Sequence, residues 1–138
     1  MLAALAALFL SSCEESGKPE THNQERRQPM AGNVIELTDA TFEKEIEQAK
    51  GVCLVDFWAE WCAPCRMMAP TVAALGTDYA PKAKVCKLDT DAHRDTAAKL
   101  GITAIPTLII FKDGEPVKRF VGVTSKEDLK AGLDAALK

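Results

Sequence analysis

Residues 34–138 predict an α/β fold: a central mixed sheet in the order βαβαβαββα with helices on both faces. Three observations carry this reading. The runs at 52–58 and 107–111 are of strand length and nearly continuously apolar, as expected of central strands covered on both sides. Helical periodicity follows the first run, and right-handed crossovers between such units build a parallel sheet with helices above and below it. Lys112-Asp113-Gly114-Glu115 is a hairpin signal, so 116–121 should return antiparallel and form an antiparallel edge.

Each element has a local reason. Val34-Ile35-Glu36-Leu37 is a short strand. Thr41 is placed to cap a helix with Glu43 and Glu45 in its first turn, where the positive end of the helix dipole favours them. That helix should run to about Lys50 and stop at Gly51. Val52–Trp58 is a central strand interrupted by one carboxylate, Asp56. From Cys62 to about Tyr79 a helix sets Met68, Val72 and Leu75 on one side, and Pro70 inside it should kink it. A second apolar strand spans 84–89, a short helix spans 94–100 and ends at Gly101, and 107–111 is a third strand. Ser125, with Asp128 three residues on, caps a last helix. There are no internal repeats.

Composition narrows the function. A chain of 138 residues has room for one domain and a tail, and 47% hydrophobic with 27% charged residues excludes wholesale disorder. Seventeen Lys and Arg against twenty Asp and Glu give a net charge of −3, which provides no basic footprint for nucleic acid. No apolar run reaches the ~18–20 residues of a membrane-spanning helix. Five cysteines are too few for a disulfide scaffold, and an odd number leaves at least one outside any pairing.

The first thirty residues stand apart. Residues 1–12 open with MLAALAALFL, the length of a signal-peptide apolar core, and Leu10-Ser11-Ser12 precede Cys13. This resembles a bacterial lipoprotein signal, cleaved so that Cys13 becomes the lipidated first residue. No Lys or Arg stands ahead of the apolar run, so a cytoplasmic protein with an incidental Cys13 is the alternative. Residues 13–33 are polar and without periodicity; they should form a flexible tether, with His22 in it having no role. Stable attachment needs two or more acyl chains, which that modification supplies. The domains are therefore a signal at 1–12, a tether at 13–33 and a folded unit at 34–138.

The chemistry centres on Trp61-Cys62-Ala63-Pro64-Cys65, where a buried strand gives way to a helix. Cys62 falls at the helix N-terminus, where unsatisfied N–H groups and the dipole favour a thiolate. A thiol at its ordinary pKa of ~8.5 is a few per cent ionised at neutral pH, against about half at a pKa of ~7. Cys65, one turn later and more buried, is placed to attack a mixed disulfide formed at Cys62. The competing reading is a zinc half-site, but zinc needs a second close pair of ligands and Cys53 and Cys86 are solitary. A c-type haem would need His after Cys65, where Arg66 stands. No metal and no dissociable cofactor is expected.

Val55-Asp56-Phe57-Trp58-Ala59-Glu60-Trp61-Cys62-Ala63-Pro64-Cys65-Arg66, then Pro70, Gly101-Ile102, Ile105-Pro106-Thr107 and Gly122, together resemble the thioredoxin family. The resemblance covers about Val34 to the C-terminus. One departure is Ala63, where the family usually has Gly, a mild change that tunes potential without abolishing activity. The extra insertion usual in membrane-tethered relatives dedicated to cytochrome c maturation is missing, which favours a general reductase.

The resemblance implies a thioredoxin fold and a protein-disulfide reductase, with Cys62 as nucleophile, Cys65 as resolving cysteine and a redox-active Cys62–Cys65 disulfide. Asp56, a carboxylate in an apolar strand, should have a raised pKa and accept the proton of Cys65 through water as the mixed disulfide resolves. Its bland reading is an ion pair with Lys87 on the neighbouring strand, and the two are compatible, since Lys87 would tune Asp56. Ile105-Pro106 resembles the family's cis-proline dipeptide, which lets the Ile105 backbone pair with an extended substrate. Trp61, Ala63, Pro64, Ile105, Pro106 and Gly122 would form the substrate-binding lip. Trp58 is expected to pack beneath the motif, Cys53 and Cys86 to be buried hydrophobes in diagonal register, His93 to face solvent, and Met67 and Met68 to be core or rim. Partners are protein disulfides and an electron donor: a membrane thiol-electron carrier outside the cytoplasm, a thioredoxin reductase inside it. The chain is expected to act as a monomer, anchored by lipid and facing the periplasm. Two alternatives are a disulfide oxidase or isomerase of the same fold and a non-catalytic binding or chaperone module.

Overall fold

The computed structural model describes residues 32–138, so the signal, Cys13, His22 and all but the last two tether positions lie outside the described residues. Five strands, β1 (Val34–Leu37), β2 (Val52–Trp58), β3 (Ala83–Asp89), β4 (Thr107–Lys112) and β5 (Glu115–Val121), form one sheet in the order β1-β3-β2-β4-β5. β1, β3 and β2 run parallel, while β4 is antiparallel to β2 and β5 to β4. The hairpin thus joins the parallel part as a unit, with β5 at one edge of the sheet and β1 at the other. Asp113 and Gly114 both have positive φ, 49° and 86°, as a two-residue turn that matches strand twist requires. A side chain at Gly114 would also strike the Glu47 carbonyl.

The helices are α1 (Asp39–Phe42), which passes into a π turn at Glu43–Glu47, then α2 (Ala63–Tyr79), α3 (Arg94–Lys99) and α4 (Lys126–Ala136). Two sequence expectations are corrected in the first helix. Its cap is Thr38, not Thr41: Thr41 N–H donates to Thr38 Oγ1 at 3.2 Å while Thr38 N–H donates to Thr41 Oγ1 at 2.9 Å, a reciprocal box. Its end comes at Gln48, before Gly51, because Gly51 exchanges hydrogen bonds with the hairpin turn instead, its N–H to Asp113 Oδ1 at 2.8 Å and its carbonyl from Asp113 N–H at 2.9 Å. Pro70 lies inside α2, which continues past it to Tyr79. Ser125 caps α4 as expected, accepting from Asp128 N–H at 3.1 Å.

Side-chain alternation along β2 divides the core. Val52 and Leu54 face α2 and α4 through Met68, Val72, Leu75, Leu129 and Leu133. Cys53, Val55 and Phe57 face α1 through Phe42 and Ile46, with Leu100 and Ile102 packed at the margin. Where the chain joins β1, Gly32, at φ +84°, lies so close to the backbone of Ala73 in α2 that a Cβ there would overlap it. Among the described residues no helix is long and apolar enough to cross a membrane.

Leu54 is fully buried at the centre of this packing. Leu54→Ala is expected to destabilise the domain by about 2–5 kcal/mol, read as a lower urea midpoint with an unchanged slope.

Candidate active site

β2 runs without exposure from Val52 to Phe57 and releases the chain at its carboxyl end, where Cys62 caps α2. The Cys62 backbone is extended, φ −83° and ψ 104°, and its sulfur accepts the Cys65 N–H at 3.2 Å. Pro64, in the first turn, has no N–H to leave unsatisfied there. The two cysteines are joined as a disulfide with their Cα atoms 5.2 Å apart. Their burial does not separate them, contrary to expectation: Cys62 is 3% exposed and Cys65 2%. What differs is position. Cys62 stands at the helix opening with its sulfur 3.9 Å from the Ile105 carbonyl oxygen, whereas Cys65 sits a turn deeper.

The rim is built from three segments. Trp61 is 67% exposed, and Ala63 and Pro64 beside it are also exposed. Opposite them the Ile105-Pro106 bond is cis, with Ile105 half-buried and Pro106 buried. Gly122 N–H donates to the Pro106 carbonyl at 2.8 Å, bringing exposed Val121 and Val123 to the same edge. All six expected lip residues therefore belong to the three segments around the disulfide. Trp58 packs against Ala59, Cys62 and Cys65 from beneath.

Asp56 is 4% exposed and faces the side of the sheet that α2 covers, since it lies two residues from Leu54 and shares its face. Burial pushes its carboxyl up to about 7, against the opposing pull of the Lys87 charge. Lys87 is its register partner on β3, yet the expected ion pair does not form. The Lys87 ammonium stands 4.7 Å from the centre of the Trp58 ring instead, where it stays partly solvated, and Asp56 Oδ1 is buried without a hydrogen-bond partner. The lysine acts on the carboxylate through space, not by contact.

The same geometry places the remaining cysteines, the methionines and His93. Cys53 pairs with Lys84 and Cys86 with Val55, so the two cysteines are diagonal, and neither is in a disulfide. Burial pushes the Cys53 thiol up, which makes it a poor nucleophile. Met68 is core and Met67 is exposed. His93 does not simply face solvent: its Nδ1 accepts the Asp39 N–H at 3.3 Å, fastening α1 to the start of α3. Among the described residues no three His, Cys, Asp or Glu side chains are grouped to hold a metal.

Sequence reasoning missed Asp91, whose Oδ2 accepts from Trp61 Nε1 at 2.6 Å and so braces the most exposed ring of the rim. The available signal was its place in the loop after the carboxyl end of β3, where open α/β sheets assemble their sites.

The family model described as Thioredoxin matches residues 33–135. A thioredoxin of Pseudomonas aeruginosa is 48% identical over 106 residues, covering 77% of this chain and 98% of that protein. A thioredoxin of Staphylococcus aureus is 50% identical over 104 residues, covering 75% and 98%.

Asp56 ties stability to pH. Its native carboxyl, at about 7 against an ordinary 3.8, holds its proton more tightly than in the unfolded chain, so stability is greatest in acid and is lost as pH rises through that window. Asp56→Asn is expected to stabilise the oxidised protein in mildly alkaline buffer, by on the order of 4 kcal/mol at most, and to change it little in acid. Urea unfolding across pH measures this; equal effects at both ends would contradict it.

Proposed function

The chain belongs to the thioredoxin family and is a protein-disulfide reductase, and we propose that it does this work on the periplasmic side of a bacterial membrane, held there by lipid on Cys13. The observation that carries the catalytic reading is the Cys62–Cys65 pair at the N-terminus of α2, facing the cis Ile105-Pro106 bond.

In the exchange, the Cys62 thiolate attacks one sulfur of a substrate disulfide. The substrate S–S bond breaks, one substrate sulfur leaves as a thiolate, and a mixed disulfide remains at Cys62. Asp56 takes the proton of Cys65, and the Cys65 sulfur attacks Cys62. The second substrate sulfur leaves with the bonding electrons, so the substrate gains two electrons and the enzyme is left as the Cys62–Cys65 disulfide. Lys87 tunes Asp56 by its charge. During docking, the Ile105 backbone pairs with an extended substrate segment, and Trp61, Ala63, Pro64, Pro106 and Gly122 supply the lip around it.

The family implies a reductase partner that returns the two electrons. For a protein outside the cytoplasm, that donor is a membrane thiol-electron carrier. Support for the location is the sequence itself: an apolar run of signal length ending in Leu10-Ser11-Ser12-Cys13, then a polar stretch long enough to stand the domain off a surface.

Two experiments test this. Cys65→Ser expressed in a bacterial host should accumulate mixed disulfides through Cys62, resolved by thiol treatment, with envelope proteins as the trapped partners. Recovery of cytoplasmic partners alone would defeat the location. Radiolabelled palmitate should enter the full chain and partition it to membranes, and Cys13→Ala should lose both; a label that persists in the variant would exclude Cys13 as the anchor.

A further inference from the structure

One strand holds the Ile105-Pro106 loop at both of its ends. At the far end, Gly122 N–H, directly after β5, donates to the Pro106 carbonyl at 2.8 Å. At the near end, α3 closes through Gly101 at φ +65°, with Ile102 N–H reaching the Ala97 carbonyl at 2.9 Å and Gly101 N–H the Ala98 carbonyl at 3.1 Å. That closure satisfies two of the helix's last carbonyls. The two that follow it go to Arg119 on β5: Nη2 donates to the Leu100 carbonyl at 2.7 Å and Nη1 to the Gly101 carbonyl at 3.5 Å. Between these ends, Thr107 Oγ1 donates to the Ala104 carbonyl at 2.6 Å and tightens the turn that leads into Pro106.

We infer that Arg119 is a positioning residue for protein substrates: its guanidinium fixes the start of the 100–106 loop and thereby the distance at which the Ile105 backbone stands from the Cys62 sulfur. The inference rests on the proposed reading of Ile105 as the docking edge. A guanidinium suits the place because its planar fork reaches two carbonyls at once and its charge complements the negative end of α3. A lysine would reach them as a single point charge. Arg119 pairs in register with Ile109, on the face shared with α1, and touches neither active-site sulfur. Its effect therefore falls on docking and not on the exchange step. Lys118, one residue earlier, has its ammonium 5.5 Å from the Phe120 ring and provides a control on the same strand.

Reduction of two substrates separates the possibilities, the first followed at steady state with dithiothreitol supplying electrons and the second in a single turnover by protein reduced beforehand and freed of dithiothreitol, which would otherwise reduce it directly. One is insulin, whose chain must dock; the other is a small nitrobenzoate disulfide, which need not pair with any backbone. Arg119→Ala is expected to raise KM for insulin about fivefold with kcat nearly unchanged, and to leave the small disulfide's rate as in wild type. Arg119→Lys should recover part of the loss, and Lys118→Ala should behave as wild type. Unchanged insulin kinetics in Arg119→Ala, or equal slowing of both substrates in step with a lowered Tm, would overturn the inference while leaving the reductase reading intact. A wild-type protein that reduces neither substrate would overturn that reading, and this inference with it.

Discussion

The opening turn of α2 has backbone N–H groups with no preceding carbonyl to receive them, and a sulfur is set against that opening. This single contact fixes much else. It requires an extended residue at 62, a rigid strand to deliver it and a helix long enough to carry a dipole. β2 supplies the rigidity because it is buried on both faces along its length, and α2 supplies the field across its 17 residues. Ile105 then completes the arrangement from the other side of the sulfur.

Burial of β2 on both faces has a second outcome at Asp56. A carboxylate in the most enclosed strand of the sheet cannot be solvated, and the nearest cation is drawn to the face of Trp58 in preference to contact with it. The domain thus carries a group that is costly to ionise in the strand that leads to its reactive end. A structural side chain selected only for packing would be apolar here, as Leu54 is two residues earlier. A carboxyl in this place holds its proton up to about 7, which suits it to the proton transfer proposed for it.

Much of this was legible in the sequence, for identifiable reasons. Continuous apolar runs located β2 and β4, the Asp113-Gly114 pair located the hairpin, and Cys62 read as a helix start from its neighbours alone. The misreadings share a cause, which is competition between equivalent polar groups that only tertiary contact resolves. Thr38 and Thr41 are both capable caps, and each needs the other to cap at all. Gly51 is a plausible helix stop until Asp113, 62 residues away, claims its N–H. Lys87 stands beside both a carboxylate and an indole, and spacing does not say which it prefers. The place of Asp91 after β3 marks it only as a site candidate and does not reveal its contact with Trp61, because the bond joins two loops that the sheet order alone brings together.

The crowding of Gly32 against Ala73 settles a question of direction. β1 begins there and runs parallel to β2, so the chain comes in at the floor of the sheet, while Cys62 emerges at its roof. Any leash attached upstream pulls on the molecule's underside. A surface holding this domain by its N-terminus leaves the reactive sulfur facing outward, free to meet partners arriving from the aqueous side.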